Sequence, residues 1–146
     1  VRLLFLLLAV LAAAVAGGRP DLNGSWTLEP ARSQAADIKS ATLTISQSDS
    51  EVQVKEAYAF ASGKTGTLEF RCNTMGKECA FKSENEPVKV SLWYGGPRLV
   101  VMETRGKHGD VVRKRQFGLA NDGALTVEIS SISPPGDKQT LVYRKK

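Results

Sequence analysis

The sequence predicts an all-β chain, an antiparallel up-and-down meander of about eight to ten strands that closes into a barrel. Three observations carry this. Short stretches of alternating apolar and polar residues follow one another along most of the chain. Each ends in a cluster of turn-forming residues. When hairpins are closed at those turns, the apolar residues of five consecutive strands fall on one face.

The chain begins with an apolar run, Leu3 to Ala16, preceded by Arg2. At 14 residues the run falls short of the roughly 20 that a membrane-spanning helix needs. It ends Ala14-Val15-Ala16, the small-x-small pattern of a signal-peptidase site. Residues 1–16 therefore read as a signal peptide cleaved before Gly17, with an uncleaved anchor as the alternative. No cysteine follows the run, which argues against a lipid anchor. The remainder, 17–146, suits one secreted or periplasmic domain. Cleavage removes only Arg2 from the 20 lysines and arginines that face 15 carboxylates. The mild positive balance suits loose attraction to acidic envelope components. It lacks the basic clusters and stacking aromatics of a nucleic-acid surface.

Asp21 to Pro30 holds the first strand, and Pro30 to Ala36 a short turn or helical lid. Ala41–Gln47 and Val52–Phe60 follow, joined at Ser48-Asp49-Ser50. Ser62-Gly63-Lys64 leads into Thr67–Cys72 and then Cys79–Lys82. Glu84-Asn85-Glu86-Pro87 reads as a break. Val88–Tyr94, Leu99–Arg105, Val111–Ala120, Ala124–Ile132 and Gln139–Arg144 complete the set. The glycine, asparagine and proline clusters between them are turn signals.

Closing the Tyr94–Pro97 turn sets Leu92 opposite Leu99 and Val90 opposite Val101. The Gly106–Asp110 turn sets Leu99 opposite Phe117, Val101 opposite Arg115 and Glu103 opposite Arg113. Asn121-Asp122-Gly123 sets Phe117 opposite Val127, Leu119 opposite Leu125 and Arg115 opposite Ile129. A loop at Pro134-Pro135 brings Val127 near Leu141 and Leu125 near Tyr143. The shared apolar face then holds Val88, Val90, Leu92, Leu99, Val101, Phe117, Leu119, Leu125, Val127, Ile129, Leu141 and Tyr143. The opposite face is mixed, with Trp93, Val100 and Met102 among polar residues.

Glu103, Arg113 and Arg115 interrupt the apolar face. A buried charge must be paired or hydrated. Glu103 can pair across to Arg113, which leaves Arg115 as a spare cation. Such an arginine beside Val101, Phe117, Ile129 and Tyr143 could hold an anionic amphiphile by a bidentate contact. Alternatively, these strands project past the rim and the charges are simply solvated.

Gly24-Ser25-Trp26 opens the first strand. Glycine permits close approach of a neighbour, and the indole is large enough to plug one barrel end. In a closed meander the last strand lies beside the first, so Arg144 or Lys145 could cover the indole face. Otherwise Trp26 is ordinary core and the basic tail is solvated. Cys72 and Cys79 flank a turn around Gly76. With Thr74 to Lys77 as loop, Cys72 falls opposite Cys79 and Phe70 opposite Phe81. A disulfide stapling this hairpin is expected in an exported protein, whereas zinc or redox chemistry would need other partners or spacing.

Gly24, Trp26 and Leu28, then Trp93, Gly95 and Leu99-Val100-Val101, then Val142-Tyr143 and Lys145 form an ordered set. On these residues the chain, from about 22 to 146, resembles the lipocalin and fatty-acid-binding (calycin-type) superfamily. It is most similar to small secreted bacterial lipocalin-like domains of mostly unknown function. The resemblance implies an up-and-down β-barrel; that there is no catalysis and no cofactor is expected from the residues themselves. Fatty-acid-binding relatives often carry an Arg-x-Tyr clamp on the last strand. Here the position two before Tyr143 is Leu141, so that specificity does not carry over.

His108 is the only histidine and sits in a glycine-flanked turn. No nucleophile elbow, phosphate-binding loop or metal-ligand spacing is present in the sequence. Two functions remain. One is an exported carrier for a small apolar or amphiphilic ligand, with no stable membrane anchor. The other is an interaction module with a filled barrel, binding an envelope protein or polymer through the face that carries Trp93.

Overall fold

The computed structural model describes residues 18–35 and 37–146. The expected signal peptide and its cleavage point lie outside the described residues. Ten antiparallel strands run β1 (Gly24–Leu28), β2 (Ile38–Gln47), β3 (Glu51–Phe60), β4 (Thr65–Asn73), β5 (Cys79–Ser83), β6 (Glu86–Gly95), β7 (Arg98–Arg105), β8 (Val111–Leu119), β9 (Leu125–Ser133) and β10 (Gln139–Lys145). They form one sheet in the order β4-β3-β2-β1-β10-β9-β8-β7-β6-β5. The chain is thus a meander whose last strand lies beside its first, with Trp26 opposite Lys145 and Leu28 opposite Tyr143. Among the described residues no helix is long and apolar enough to cross a membrane. The expected lid is only a one-turn 3₁₀ helix, Pro30–Arg32.

The inward positions follow the period-2 pattern. Leu43, Ile45, Val52, Val54, Phe70, Val90, Leu92, Leu99, Phe117, Leu125 and Leu141 are all buried in one core. Each fully buried aliphatic or aromatic side chain contributes about 1.5–3 kcal/mol relative to exposure. Leu119 departs from the expected core: it is 43 % exposed, as the last residue of β8, while its partner Leu125 is fully buried.

Most of the expected register is present. Leu99 pairs with Phe117, Val101 with Arg115 and Glu103 with Arg113. Phe117 pairs with Val127 and Arg115 with Ile129. The β6–β7 hairpin differs by two residues, pairing Leu92 with Val101 and Tyr94 with Leu99. The cause is the turn. Gly95 still pairs with Arg98, so the loop is only Gly96-Pro97, with Gly96 at φ +59. A positive φ followed by proline's fixed negative φ is the order of a tight type II′ hairpin. A shift of two leaves the faces unchanged. Likewise Glu84-Asn85-Glu86-Pro87 is not a break. Glu84 and Asn85 at φ 52 and 64 make a two-residue turn, and β6 begins at Glu86.

The two ends of the sheet, β4 and β5, approach without forming a ladder. The Cys72–Cys79 disulfide bridges them, and Phe70 stacks on Phe81 with ring centroids 6.0 Å apart. The bridge therefore does not staple a hairpin, as the sequence suggested. Cys79 pairs with Val90 of β6 instead, and Met75 in the β4–β5 loop pairs with Trp93. The disulfide fastens the one seam of the barrel.

Candidate functional site

The two ends of the barrel differ. At one end Trp26 is buried, and its indole Nε1–H donates to the Leu22 carbonyl at 3.0 Å. Gln47 accepts from the Leu22 N–H at 2.6 Å and donates to the Tyr94 hydroxyl at 2.7 Å. Lys145 Nζ lies 5.5 Å from the indole centroid. Gly24 explains the opening triplet. At φ +130, a Cβ there would meet Lys145 Cε at 2.9 Å, so glycine lets the lysine cross β1 to reach the ring. The cation is Lys145, not Arg144. Arg144 is exposed and pairs with Thr27, because side chains alternate across the strand. The basic residue facing the indole must therefore lie one position on.

At the other end the interior is not filled. A cavity of about 560 Å³ lies among the ends of β3, β7 and β9 and the starts of β2, β6, β8 and β10. That size is within the roughly 300–1,000 Å³ of small-ligand sites. Ile38, Tyr58, Phe60, Leu68, Ile129 and Leu141 supply apolar wall. Tyr58 and Phe60 meet edge to face, with centroids 5.2 Å apart. Tyr58 also lies over Gly66, its cross-strand partner, where a Cβ would sit 2.4 Å from the ring.

A charged network separates cavity from core. Arg115 Nη1 donates to Glu56 Oε2 at 2.8 Å, and Nη2 lies 3.4 Å from Glu103 Oε2. Arg105 pairs with Glu103 through Nε and lies 3.8 Å from Glu86. Glu103 is 1 % exposed and Arg115 8 %. Burial would raise the pKa of Glu103, but attraction to Arg115 and the Arg105 hydrogen bond outweigh it and hold the carboxyl below its ordinary value. Burial likewise works against the charge on Arg115, and Glu56 and Glu103 reverse it, so the guanidinium stays charged. Burial pushes the Tyr143 phenol up, aided by Glu56.

The spare cation expected at Arg115 is therefore absent: Arg115 is held between two carboxylates. Glu56 supplies the pairing, and sequence reasoning passed over it. Its signal was legible, since Val52, Val54, Glu56, Tyr58 and Phe60 share one side of β3. Arg113 stands opposite Glu103 in register but makes no ion pair among the described residues; it is exposed on the cavity wall. Of the seven residues expected to bind ligand, Arg113, Arg115 and Ile129 line the cavity. Glu103, Val101, Phe117 and Tyr143 are buried beneath it. Asp37, Glu56, Glu86 and Asp137 line the same cavity, so with Glu103 carboxylates outnumber the guanidiniums of Arg105, Arg113 and Arg115. Among the described residues no group of three or more His, Cys, Asp or Glu could hold a metal ion.

No protein-family model and no curated protein matches the sequence. Solved structures do match the fold. Lipid binding protein 8 of Caenorhabditis elegans aligns with TM-score 0.62 at 13 % identity, over 85 % of this chain and 94 % of that one. Fatty-acid-binding protein 1 of Echinococcus granulosus aligns with TM-score 0.61 at 10 % identity, over 85 % and 96 %. Secretory abundant heat soluble protein 4 of Ramazzottius varieornatus gives 0.61 at 13 %, over 85 % and 94 %. At such low identity the likeness establishes the fold, a nearly closed fatty-acid-binding-like barrel, and nothing finer.

Proposed function

We propose that this chain is an exported, non-catalytic carrier that holds a small apolar or amphiphilic ligand in the cavity at the open end of its barrel. The observation that carries the reading is the asymmetry of the interior. One half is packed with side chains, while the other leaves about 560 Å³ with apolar walls over a charged floor. A barrel needed only as a scaffold has no use for buried charges under an unfilled space. Two of the fold neighbours are named for binding lipid or fatty acid, which is in keeping with a ligand in this space. The disulfide is consistent with an oxidising compartment outside the cytoplasm. Native mass spectrometry of protein purified from its own envelope or secreted fraction tests the reading. A co-purified apolar small molecule supports it. An empty barrel that also binds no lipid-like probe overturns it.

A second reading has its own observation. On the outer wall Met75 is 87 % exposed beside its bridge partner Trp93, which is 37 % exposed. This pair suits contact with another envelope protein or polymer. Capture from an envelope extract that is lost on Trp93→Ala, with folding intact, would support it. Unchanged capture would exclude the patch.

A further inference from the structure

The carrier reading leaves the ligand's head group open, and the charges around the cavity narrow it. On the floor, the guanidiniums of Arg105, Arg113 and Arg115 face the carboxylates of Glu56, Glu86 and Glu103. Arg113 makes no direct ion pair, but it stands opposite Glu103 in register, and its attraction helps to hold that carboxyl ionised. Three charges of each sign leave the floor neutral. Glu103 and Arg115 are buried within it, so a charged head group cannot enter there without breaking paired, desolvated ions. A charged head group belongs at the mouth.

The mouth is not neutral. Asp37 and Asp137 line the same cavity, are exposed, and make no ion pair among the described residues. No lysine lines the cavity among those residues. The antiparallel pair Gln34–Thr140 sets where the two aspartates fall. Asp37 lies three residues after Gln34 and Asp137 three before Thr140. In an antiparallel pair these steps run the same way, so both carboxylates come to one stretch of the rim. Phe60 borders that stretch. It pairs with Ile38, and the next N–H, of Ala61, donates to the Asp37 carbonyl at 2.9 Å. With Tyr58, its ring forms the aromatic wall of the cavity. Like charges side by side repel, and a cation relieves both. Aromatic faces attract a cation as well.

Resting on the carrier reading, we propose that the cavity takes an amphiphile with a cationic ammonium head, its chain among the apolar walls and its head at the mouth beside Asp37, Asp137 and Phe60. A carboxylate head would meet repulsion from the same two aspartates. An uncharged head would leave their repulsion in place.

The test is displacement of the neutral dye Nile red from the purified protein at neutral pH. Three probes share one chain length: dodecyltrimethylammonium, dodecanoate and methyl dodecanoate, each below the concentration at which it aggregates. The ammonium is expected to displace the dye at a concentration at least about tenfold lower than the acid, a difference of about 1.4 kcal/mol, with the ester in between. Asp37→Asn combined with Asp137→Asn removes both charges at nearly constant volume. That variant should bind the acid better and collapse the tenfold ratio, a gain that misfolding cannot imitate. Each single variant should move the ratio part of the way. An ammonium that binds the wild type no more tightly than the acid or the ester overturns the proposal. If the acid is then the tightest and loses its binding on Arg113→Gln, the head group sits at Arg113 instead. A ratio unchanged by the double variant overturns the proposal as well. Failure of the dye and all three probes to bind is a different result, because it removes the carrier reading itself.

Discussion

Replacing Glu103 by glutamine removes one negative charge from the cavity floor while keeping the side-chain volume. Glu103 sits between Arg105 and Arg115 and is 1 % exposed. Removing one partner of a buried ion pair costs about 3–5 kcal/mol. Here each guanidinium keeps another carboxylate, Arg115 at 2.8 Å from Glu56 and Arg105 at 3.8 Å from Glu86. The expected loss is therefore smaller, about 2–3 kcal/mol. At about 3–6 °C per kcal/mol for a domain of this size, Tm should fall by roughly 6–18 °C. Acid adds a second check. Burial opposes ionisation of Glu103, but Arg115 and Arg105 prevail, so its folded pKa lies below the ordinary 4.5. A group of this kind stabilises the fold above its unfolded pKa and loses that stabilisation as pH falls through the lower, folded value. The gap between wild type and Glu103→Gln should thus be constant above about pH 5 and narrow on further acidification. Urea unfolding followed by tryptophan fluorescence measures it. A gap below about 1 kcal/mol at neutral pH, or one that widens in acid, would refute the reasoning.

Three further outcomes are expected. Gly24→Ala places a Cβ at φ +130 and 2.9 Å from Lys145 Cε, and should cost at least about 1 kcal/mol by thermal denaturation. Replacing both Cys72 and Cys79 by serine should cost about 2.5 kcal/mol for the short loop they close, with faster amide exchange in β4 and β5 than in β1 and β10. Gly66→Val should displace the Tyr58 ring from its place over the bare backbone, since even a Cβ would lie 2.4 Å from it. The readout is a change in Tyr58 ring resonances larger than those at the distant Trp26.

The meander, the common inward face and the meeting of first and last strands were legible in the sequence, because period-2 alternation and turn residues are local signals. Three hairpin registers followed from turn length alone. The β6–β7 hairpin was misplaced because Gly96-Pro97 closes a tighter turn than the loop of Tyr94 to Pro97 that the sequence suggested. The disulfide pairing was also legible, but not its position. A turn around Gly76 reads as a hairpin locally, and only barrel closure puts β4 and β5 at opposite ends of one sheet. The site was half legible. Glu103 and Arg115 stood out as charges on an oily face, yet their partner Glu56 is 59 residues from Arg115 along the chain. No hairpin register reaches across a barrel, so the neutralisation of Arg115 depends on closure. The choice of Lys145 over Arg144 at the indole was fixed by strand alternation and could have been read in advance.

The most direct measurement is a two-dimensional NMR titration of the purified protein with an uncharged ester probe. It would follow the methyl groups of Ile38, Ile129 and Leu141, which line the cavity. Saturable shifts at these three places, with Trp26 and Trp93 unmoved, are the expected result. Shifts confined to Trp93 and Met75 on the outer wall, with the cavity signals untouched, would contradict a ligand held inside the barrel.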